Sequence, residues 1–102
     1  MFKQLIIISW NHRNTAIGFR DKLALSPKES VHFYNAANKH PDILEWTILP
    51  TCNRIEFYVL TITPEIVKSW IFNQYHKIFN RSLDFEIFNP SILMGKTAVE
   101  HL

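Results

Sequence analysis

Residues 43–62 read ILEWTILPTCNRIEFYVLTI, and the prediction of the fold starts from this hairpin-like segment. Residues 43–49 alternate between apolar and polar side chains, as a half-buried strand does. The apolar face of that predicted strand carries Leu44, Trp46 and Ile48. A second extended run covers residues 55–62, and five turn-type residues separate it from the first. Two strands joined by so short a turn predict an antiparallel hairpin.

Upstream of the hairpin, the sequence predicts one strand and one helix. Residues 5–10 read LIIISW, a β-branched run that is too short for a buried helix and indicates a strand. Residues 26–29 read SPKE, which is typical of a helix start. The Ser26 hydroxyl can accept the Glu29 N–H, the Glu29 carboxylate can accept the Ser26 N–H, and proline needs no N–H at the first helical position. We predict this helix over residues 27–39.

Downstream, a Thr-Pro pair at residues 63–64 starts a second helix, predicted over residues 64–79. Residues 84–88 alternate and predict a fourth strand, and a final helix is predicted from about Lys96 to Leu102. The two long helices are expected to bury four large side chains on one face of the sheet: Phe33, Tyr34, Trp70 and Ile71.

The resulting order is β-α-β-β-α-β. This order predicts an α+β domain with the ferredoxin-like split βαβ plan, a four-stranded antiparallel sheet with both helices on one face. We expect residues 1–102 to form one domain of a longer protein, because the final helix reaches the chain end before it completes a packing face.

Composition sets limits on the function. The chain has 102 residues, 47% of them hydrophobic and 20% charged, which is enough apolar material for one packed domain. The net charge of +2 gives no strong basic field of the kind that attracts nucleic acid. No apolar run approaches the roughly 18–20 residues that span a bilayer, so we expect no membrane insertion.

Cysteine and glycine counts narrow the chemistry further. A single cysteine excludes an internal disulfide and a multi-cysteine zinc site, and it fits the reducing cytoplasm. We expect no metal. The two glycines, Gly18 and Gly95, are too far apart to form a dinucleotide-binding cluster or a P-loop. Any nicotinamide-binding domain is therefore expected outside this chain.

Cys52 lies at the tip of the predicted hairpin and has two interpretations. A lone cysteine is usually a small buried hydrophobe. However, Thr51, Asn53 and Arg54 surround Cys52 with hydrogen-bond donors and a fixed positive charge, and such neighbours favour the reactive thiolate. The histidines are less informative. Those on or beside the two long helices are predicted to lie on the surface: His32, His40 and His76.

Three segments resemble the glutamyl-tRNA reductase family. TCNRIEFY at residues 51–58 resembles the family signature T-C-N-R-x-E-x-Y. NHR at residues 11–13, followed by RDKLAL at residues 20–25, resembles N-H-K … R-E-K-L-A-F, and AVEHL at residues 98–102 resembles A-V-x-H-L. The three segments occur in the family order across the chain. Residues 14–17, NTAI, depart from the T-A-P-V that is more usual in the family.

The resemblance implies that the chain is the N-terminal catalytic domain of an enzyme that reduces glutamyl-tRNA to glutamate-1-semialdehyde with NADPH, the first step of 5-aminolevulinate and tetrapyrrole synthesis. It implies Cys52 as the nucleophile that forms a glutamyl thioester and His101 as the residue that moves a proton. Residues 51–54 are implied to bind the substrate, with Arg54 on the glutamate carboxylate. The NADPH-binding domain and the helical domain that forms the homodimer are expected outside this chain.

Two non-catalytic alternatives use the same fold plan. RNA-recognition domains stack bases on aromatic residues of the open sheet face, but the consecutive Phe57 and Tyr58 must point to opposite faces of a strand. A small-ligand regulatory module is the second alternative, and it leaves the Thr-Cys-Asn-Arg turn without a purpose. A fast-reacting Cys52 thiol favours the enzyme, whereas an inert thiol favours either alternative.

Overall fold

The computed structural model describes residues 3–11, 25–50, 54–79 and 90–101. These residues form four strands and three helices. The strands are β1 (Gln4–Asn11), β2 (Ile43–Pro50), β3 (Arg54–Thr61) and β4 (Ser91–Met94). The helices are α1 (Pro27–Asn38), α2 (Pro64–Phe79) and α3 (Lys96–His101).

The strands form one antiparallel sheet in the order β2-β3-β1-β4. The two central strands are β1 and β3, and Ile7 of β1 pairs with Tyr58 on one side and with Leu93 of β4 on the other. This order and the antiparallel pairing confirm the predicted α+β fold with a four-stranded sheet.

One face of the sheet packs against α1 and α2. Alternate residues of the central strands point to this face, and they form a buried cluster with apolar residues of both helices. The cluster members from the central strands are Ile6, Ile8, Trp10, Ile55, Phe57 and Val59, and those from the helices are Phe33, Val67, Ile71 and Tyr75. Both long helices therefore lie on the same face, as predicted. We call this the core face.

Two of the four side chains predicted to be buried lie at the rim of the core face. Phe33 and Ile71 are fully buried, whereas Tyr34 and Trp70 are half-buried and pack against the cluster. The Tyr34 hydroxyl is held at the rim because it accepts the Ile48 N–H at 2.9 Å, which links α1 to the edge strand β2.

The predicted face of β2 is correct for Trp46 and Ile48 and wrong for Leu44. Trp46 and Ile48 pack in or against the core cluster, but Leu44 is 45% exposed. The pairing of β2 with β3 shifts between Ile43 and Glu45, so Leu44 falls in an irregularity of the ladder. An extra residue at such a point breaks the strict alternation of faces.

The fourth strand of the described sheet is not at the predicted position. The predicted strand at residues 84–88 lies outside the described residues, whereas β4 covers a segment for which the sequence analysis predicts no element. Pro90 precedes β4, where its missing N–H costs the ladder nothing. Ile92 of β4 pairs with Ile8 and packs against the core cluster.

The predicted helix start at residues 26–29 is confirmed. The Ser26 hydroxyl accepts the Glu29 N–H at 3.1 Å, and Glu29 Oε1 accepts the Ser26 N–H at 3.0 Å. The surface prediction for the histidines holds for His32 and His76 and is wrong for His40, which is half-buried. Nδ1 of His40 accepts the Asp42 N–H at 3.1 Å, and its ring lies 5.3 Å from that of Trp70.

The short helix α3 packs on the opposite face of the sheet, which we call the second face. A single residue, Gly95, joins β4 to α3 with a positive φ of 61°, a conformation that favours glycine. The Gly95 N–H donates to the Leu5 carbonyl at 2.9 Å and ties the turn to β1. α3 contacts β1 and β4, and its Ala98 is fully buried. The predicted final helix is confirmed from Lys96 to His101.

Candidate functional site

The second face of the sheet carries a buried carboxylate, that of Glu56. Glu56 lies on β3 between the core residues Ile55 and Phe57, and strand alternation turns its side chain away from the core face. Only 6% of that side chain is exposed. A carboxylate of this kind costs free energy to remove from water unless donors or cations compensate it, so its partners need to be identified.

Three side chains surround the Glu56 carboxylate. The Tyr58 hydroxyl donates to Oε1 at 2.9 Å, and Nη1 of Arg54 lies 4.0 Å from the same oxygen. Nε2 of His101 lies 3.6 Å from the second oxygen, Oε2. We call these four residues, Arg54, Glu56, Tyr58 and His101, the Glu56 cluster.

The positions in the cluster follow from the fold. Arg54, Glu56 and Tyr58 are alternate residues of β3, so their side chains share the second face. His101 comes from the last turn of α3, a helix that packs on that face. The cluster therefore joins two segments that are more than 40 residues apart in the sequence.

The surroundings of Tyr58 raise the pKa of its hydroxyl above the ordinary value of 10.0. Burial is the main cause, because it disfavours the phenolate. The hydrogen bond to Glu56 and the negative charge of that carboxylate act in the same direction, while the Arg54 cation opposes them. Tyr58 is therefore a neutral hydrogen-bond donor at physiological pH.

An open pocket of about 440 Å³ adjoins the cluster. It is lined by Thr47 and Leu49 of β2, Tyr58 of β3 and His101 of α3. This volume is within the range of small-molecule sites. The pocket lies over β2 because α3 covers the second face at β1 and β4.

Two of the predicted site residues, Arg54 and His101, belong to the described part of the chain. Arg54 is the first residue of β3, with 54% of its side chain exposed, and His101 is 41% exposed beside the pocket. Thr51, Cys52 and Asn53 lie outside the described residues, between the end of β2 and the start of β3. Their predicted roles stay predictions.

Glu56 and Tyr58 were not predicted as site residues. Glu56 is the one acidic residue in β3, and it stands between two core residues. A charged residue at that position in a central strand is a signal for a buried polar site. Phe57 and Tyr58 do lie on opposite faces, so they do not form the paired aromatic platform of an RNA-recognition domain.

Residues 8–102 match a family model described as "Glutamyl-tRNAGlu reductase, N-terminal domain". The chain belongs to this family. Among curated proteins, it is 32% identical over 91 residues to a glutamyl-tRNA reductase of Legionella pneumophila (strain Corby), which covers 89% of this chain and 20% of that protein. It is 31% identical over 100 residues to the glutamyl-tRNA reductase of Helicobacter hepaticus, which covers 97% of this chain and 22% of that protein.

A third relative is the glutamyl-tRNA reductase of Dichelobacter nodosus, with 30% identity over 105 residues, 100% of this chain and 23% of that protein. The chain thus spans about a fifth of the length of these glutamyl-tRNA reductases. The Glu56 cluster contains residues from two of the segments that resemble the glutamyl-tRNA reductases. These segments are residues 51–58 and 98–102.

Two further observations concern the described part of this glutamyl-tRNA reductase domain. Across those residues, no three His, Cys, Asp or Glu side chains converge as they would around a metal ion. None of the described helices has the length and apolar character to cross a membrane.

Proposed function

We propose that this chain is the catalytic, substrate-binding domain of a glutamyl-tRNA reductase, which reduces glutamyl-tRNA to glutamate-1-semialdehyde at the start of tetrapyrrole synthesis. The observation that carries the proposal is the approach of His101 to Glu56, at 3.6 Å. It brings a histidine to the strand that begins two residues after Cys52. Nucleophilic catalysis needs this combination of a thiol and a nearby proton acceptor.

In the proposed reaction, Cys52 attacks the ester that joins glutamate to its tRNA. A bond forms between Sγ and the carbonyl carbon, and the bond from that carbon to the ribose oxygen breaks. The thiol proton passes to His101 and then to the departing ribose oxygen. The products of this step are a glutamyl thioester on Cys52 and a tRNA with a free terminal hydroxyl.

Arg54 is proposed to bind the side-chain carboxylate of the glutamate. Its side chain is more than half exposed at the start of β3, and an arginine fork can contact a carboxylate with two parallel N–H donors. Backbone N–H groups of Thr51, Cys52 and Asn53 are proposed to stabilise the oxyanion of the tetrahedral intermediate.

The residues of this chain do not fit an NADPH site, because the two glycines cannot form the phosphate-binding turn of a dinucleotide fold. We place NADPH binding in another domain of a longer enzyme, and we derive only the acyl transfer from this chain. We also place the homodimer contacts outside this chain. The lone cysteine fits a cytoplasmic enzyme.

The test of the proposed function uses the full-length enzyme with NADPH withheld. After incubation with glutamyl-tRNA, mass spectrometry should find a glutamyl adduct on Cys52. Cys52→Ser should abolish both the thioester and the reductase activity while it retains tRNA binding, because a serine hydroxyl is far less ionised at neutral pH than a thiol. Normal turnover by Cys52→Ser would exclude the thioester mechanism.

The role of Arg54 has a separate test in the same enzyme. Arg54→Lys keeps the charge but loses the fork, so it should reduce acylation nearly as much as Arg54→Ala. If Arg54→Lys restores full activity, the bidentate contact is wrong and only the positive charge matters.

A further inference from the structure

The Glu56 carboxylate contacts His101 by one specific ring nitrogen. Nε2 lies 3.6 Å from Glu56 Oε2, within ion-pair distance, and the carboxylate is buried while the imidazole reaches solvent. A neutral imidazole has one nitrogen that donates and one that accepts, whereas an ionised carboxylate only accepts. A carboxylate that faces Nε2 therefore favours the tautomer with the proton on Nε2.

The other carboxylate oxygen is held by donors. The Tyr58 hydroxyl donates to Oε1 at 2.9 Å, and the Arg54 guanidinium lies 4.0 Å from the same oxygen. The raised pKa of Tyr58 keeps that hydroxyl protonated, so it continues to donate. These contacts restrain the rotation of the carboxylate, and Oε2 stays directed at His101.

The geometry points to Glu56 as a positioning residue that fixes the tautomer of His101 and leaves Nδ1 as the nitrogen that exchanges protons with the reacting groups. This inference rests on the proposed function and names Nδ1 of His101 as the atom that accepts and returns the proton. The Cys52 thiol proton moves to Nδ1 as the bond from Sγ to carbon forms. Nδ1 then returns the proton to the ribose oxygen as its bond to carbon breaks. The Nε2 proton stays directed at Glu56 throughout.

Glu56→Gln tests the inference because its amide has a preferred orientation. The Arg54 guanidinium only donates and the Tyr58 hydroxyl already donates to Oε1, so the amide oxygen takes the place of Oε1 and the NH₂ group faces His101. An NH₂ group only donates, so Nε2 has to accept and the ring proton moves to Nδ1. The variant should therefore invert the tautomer and block the nitrogen that receives the thiol proton.

The first measurement is made on the 102-residue chain. At about pH 8, ¹⁵N chemical shifts of the His101 ring should show the proton on Nε2 in the wild type and on Nδ1 in Glu56→Gln. Glu100→Gln is the matched control, because it removes the same charge from the neighbouring residue, whose carboxylate lies 3.9 Å from Lys96 Nζ. It should leave the tautomer unchanged.

A wild-type ring with its proton on Nδ1 would overturn the inference without reference to any variant. An unchanged tautomer in folded Glu56→Gln would also overturn it.

The second measurement follows acylation of Cys52 in the full-length enzyme. Glu56→Gln should slow the single-turnover rate about a hundredfold or more, in line with the loss of a positioned general base, and should leave the KM for glutamyl-tRNA unchanged. Glu100→Gln should match the wild type. The double variant Glu56→Gln/His101→Ala should be no slower than His101→Ala, because Glu56 acts through His101. Additive losses would overturn the inference.

The two measurements separate this inference from the proposed function. If Cys52 is never acylated in the wild type, the proposed function is wrong, and the ring shifts still decide whether Glu56 sets the tautomer. If acylation occurs and Glu56→Gln is as fast as the wild type, the proposed function stands and the role of Glu56 is overturned.

Discussion

The same strands present different kinds of side chain on the two faces of the sheet. On the core face, β3 contributes Ile55, Phe57 and Val59 to a buried cluster of apolar and aromatic side chains under α1 and α2. On the second face, the residues in between include a buried carboxylate and a tyrosine whose hydroxyl donates to it. One face is covered by two helices of 12 and 16 residues, the other by a helix of six.

This difference indicates a division of tasks within a small domain. The aromatic cluster stabilises the sheet without using any group on the second face. Burial of the Glu56 carboxylate costs folding free energy unless its partners compensate it. The apolar cluster on the other face can offset such a cost. Substitutions on each face test that division.

Phe57→Ala should have the largest effect on stability. The Phe57 ring is fully buried and lies within 6.4 Å of the rings of Trp10, Phe33, Trp46 and Tyr75. Its removal should lower the free energy of unfolding by about 3–5 kcal/mol, measured by urea denaturation. Leu49→Ala on the half-exposed second face is the control, with an expected loss below about 1 kcal/mol. Equal losses would remove the distinction between the faces.

Trp70→Ala should cost less than Phe57→Ala, because Trp70 lies at the rim of the core face. Its ring contacts those of Phe33 and Trp46 at their edges but remains half-buried. We expect a loss of about 2 kcal/mol in the free energy of unfolding, and a smaller loss for Trp70→Phe, which retains an aromatic ring. A loss as large as that of Phe57→Ala would place Trp70 in the centre of the core.

Gly95→Ala should destabilise α3 without changing the stability of the core face. No atom beyond the adjacent residues lies within 4 Å of an added Cβ, so the cost is the positive φ alone, about 1–2 kcal/mol. Amide hydrogen exchange in residues 96–101 should become faster, while exchange in α2 should not change. Lys96→Ala is the control, because its side chain is almost fully exposed. Slower or unchanged exchange in α3 would contradict the role given to Gly95.

The pH dependence should show the smallest effect. Because the pKa of Tyr58 is raised above 10.0, the folded state holds that proton more tightly than the unfolded state does. This contribution to stability is fully present below about pH 10 and is lost as the pH rises through the folded pKa. Tyr58→Phe should therefore lose less stability than the wild type over that alkaline range.

Glu56→Gln should shift the pKa of Tyr58 downward, since it removes the negative charge, but not back to 10.0, because burial is the first cause of the shift. Ultraviolet titration of tyrosinate, with Tyr58→Phe subtracted to isolate this residue, measures the change. A pKa that Glu56→Gln leaves unaltered would show that the hydroxyl and the carboxylate do not interact.

The sequence predicted the parts of the fold that local signals determine. The Ser26–Glu29 capping pair set the start of α1, and a short turn between two extended runs gave the hairpin of β2 and β3. The position of β4 was missed because residues 91–94 carry no alternating pattern of their own, and their pairing with β1 is set by distant partners. Leu44 was misplaced because period-two alternation does not hold across a ladder irregularity.

The site was predictable only where a resemblance or an unusual residue pointed to it. Arg54 and His101 were named from family segments, but no rule of spacing relates them to each other. Their meeting at Glu56 depends on the sheet order and on the turn at Gly95, which places α3 on the second face. Such long-range geometry is not encoded in any single window of the sequence.

The central position of β1 has a consequence for synthesis on the ribosome. Ile6, Ile7 and Ile8 are each no more than 1% exposed in the folded domain. The earlier in the chain of the two strands that pair with β1 is β3, at residues 54–61. At about 5–20 residues per second, roughly 50 further residues must be made, so this apolar strand waits several seconds for its neighbour. A nascent chain of this domain therefore carries this β-branched segment unpaired until residues 54–61 have been synthesised.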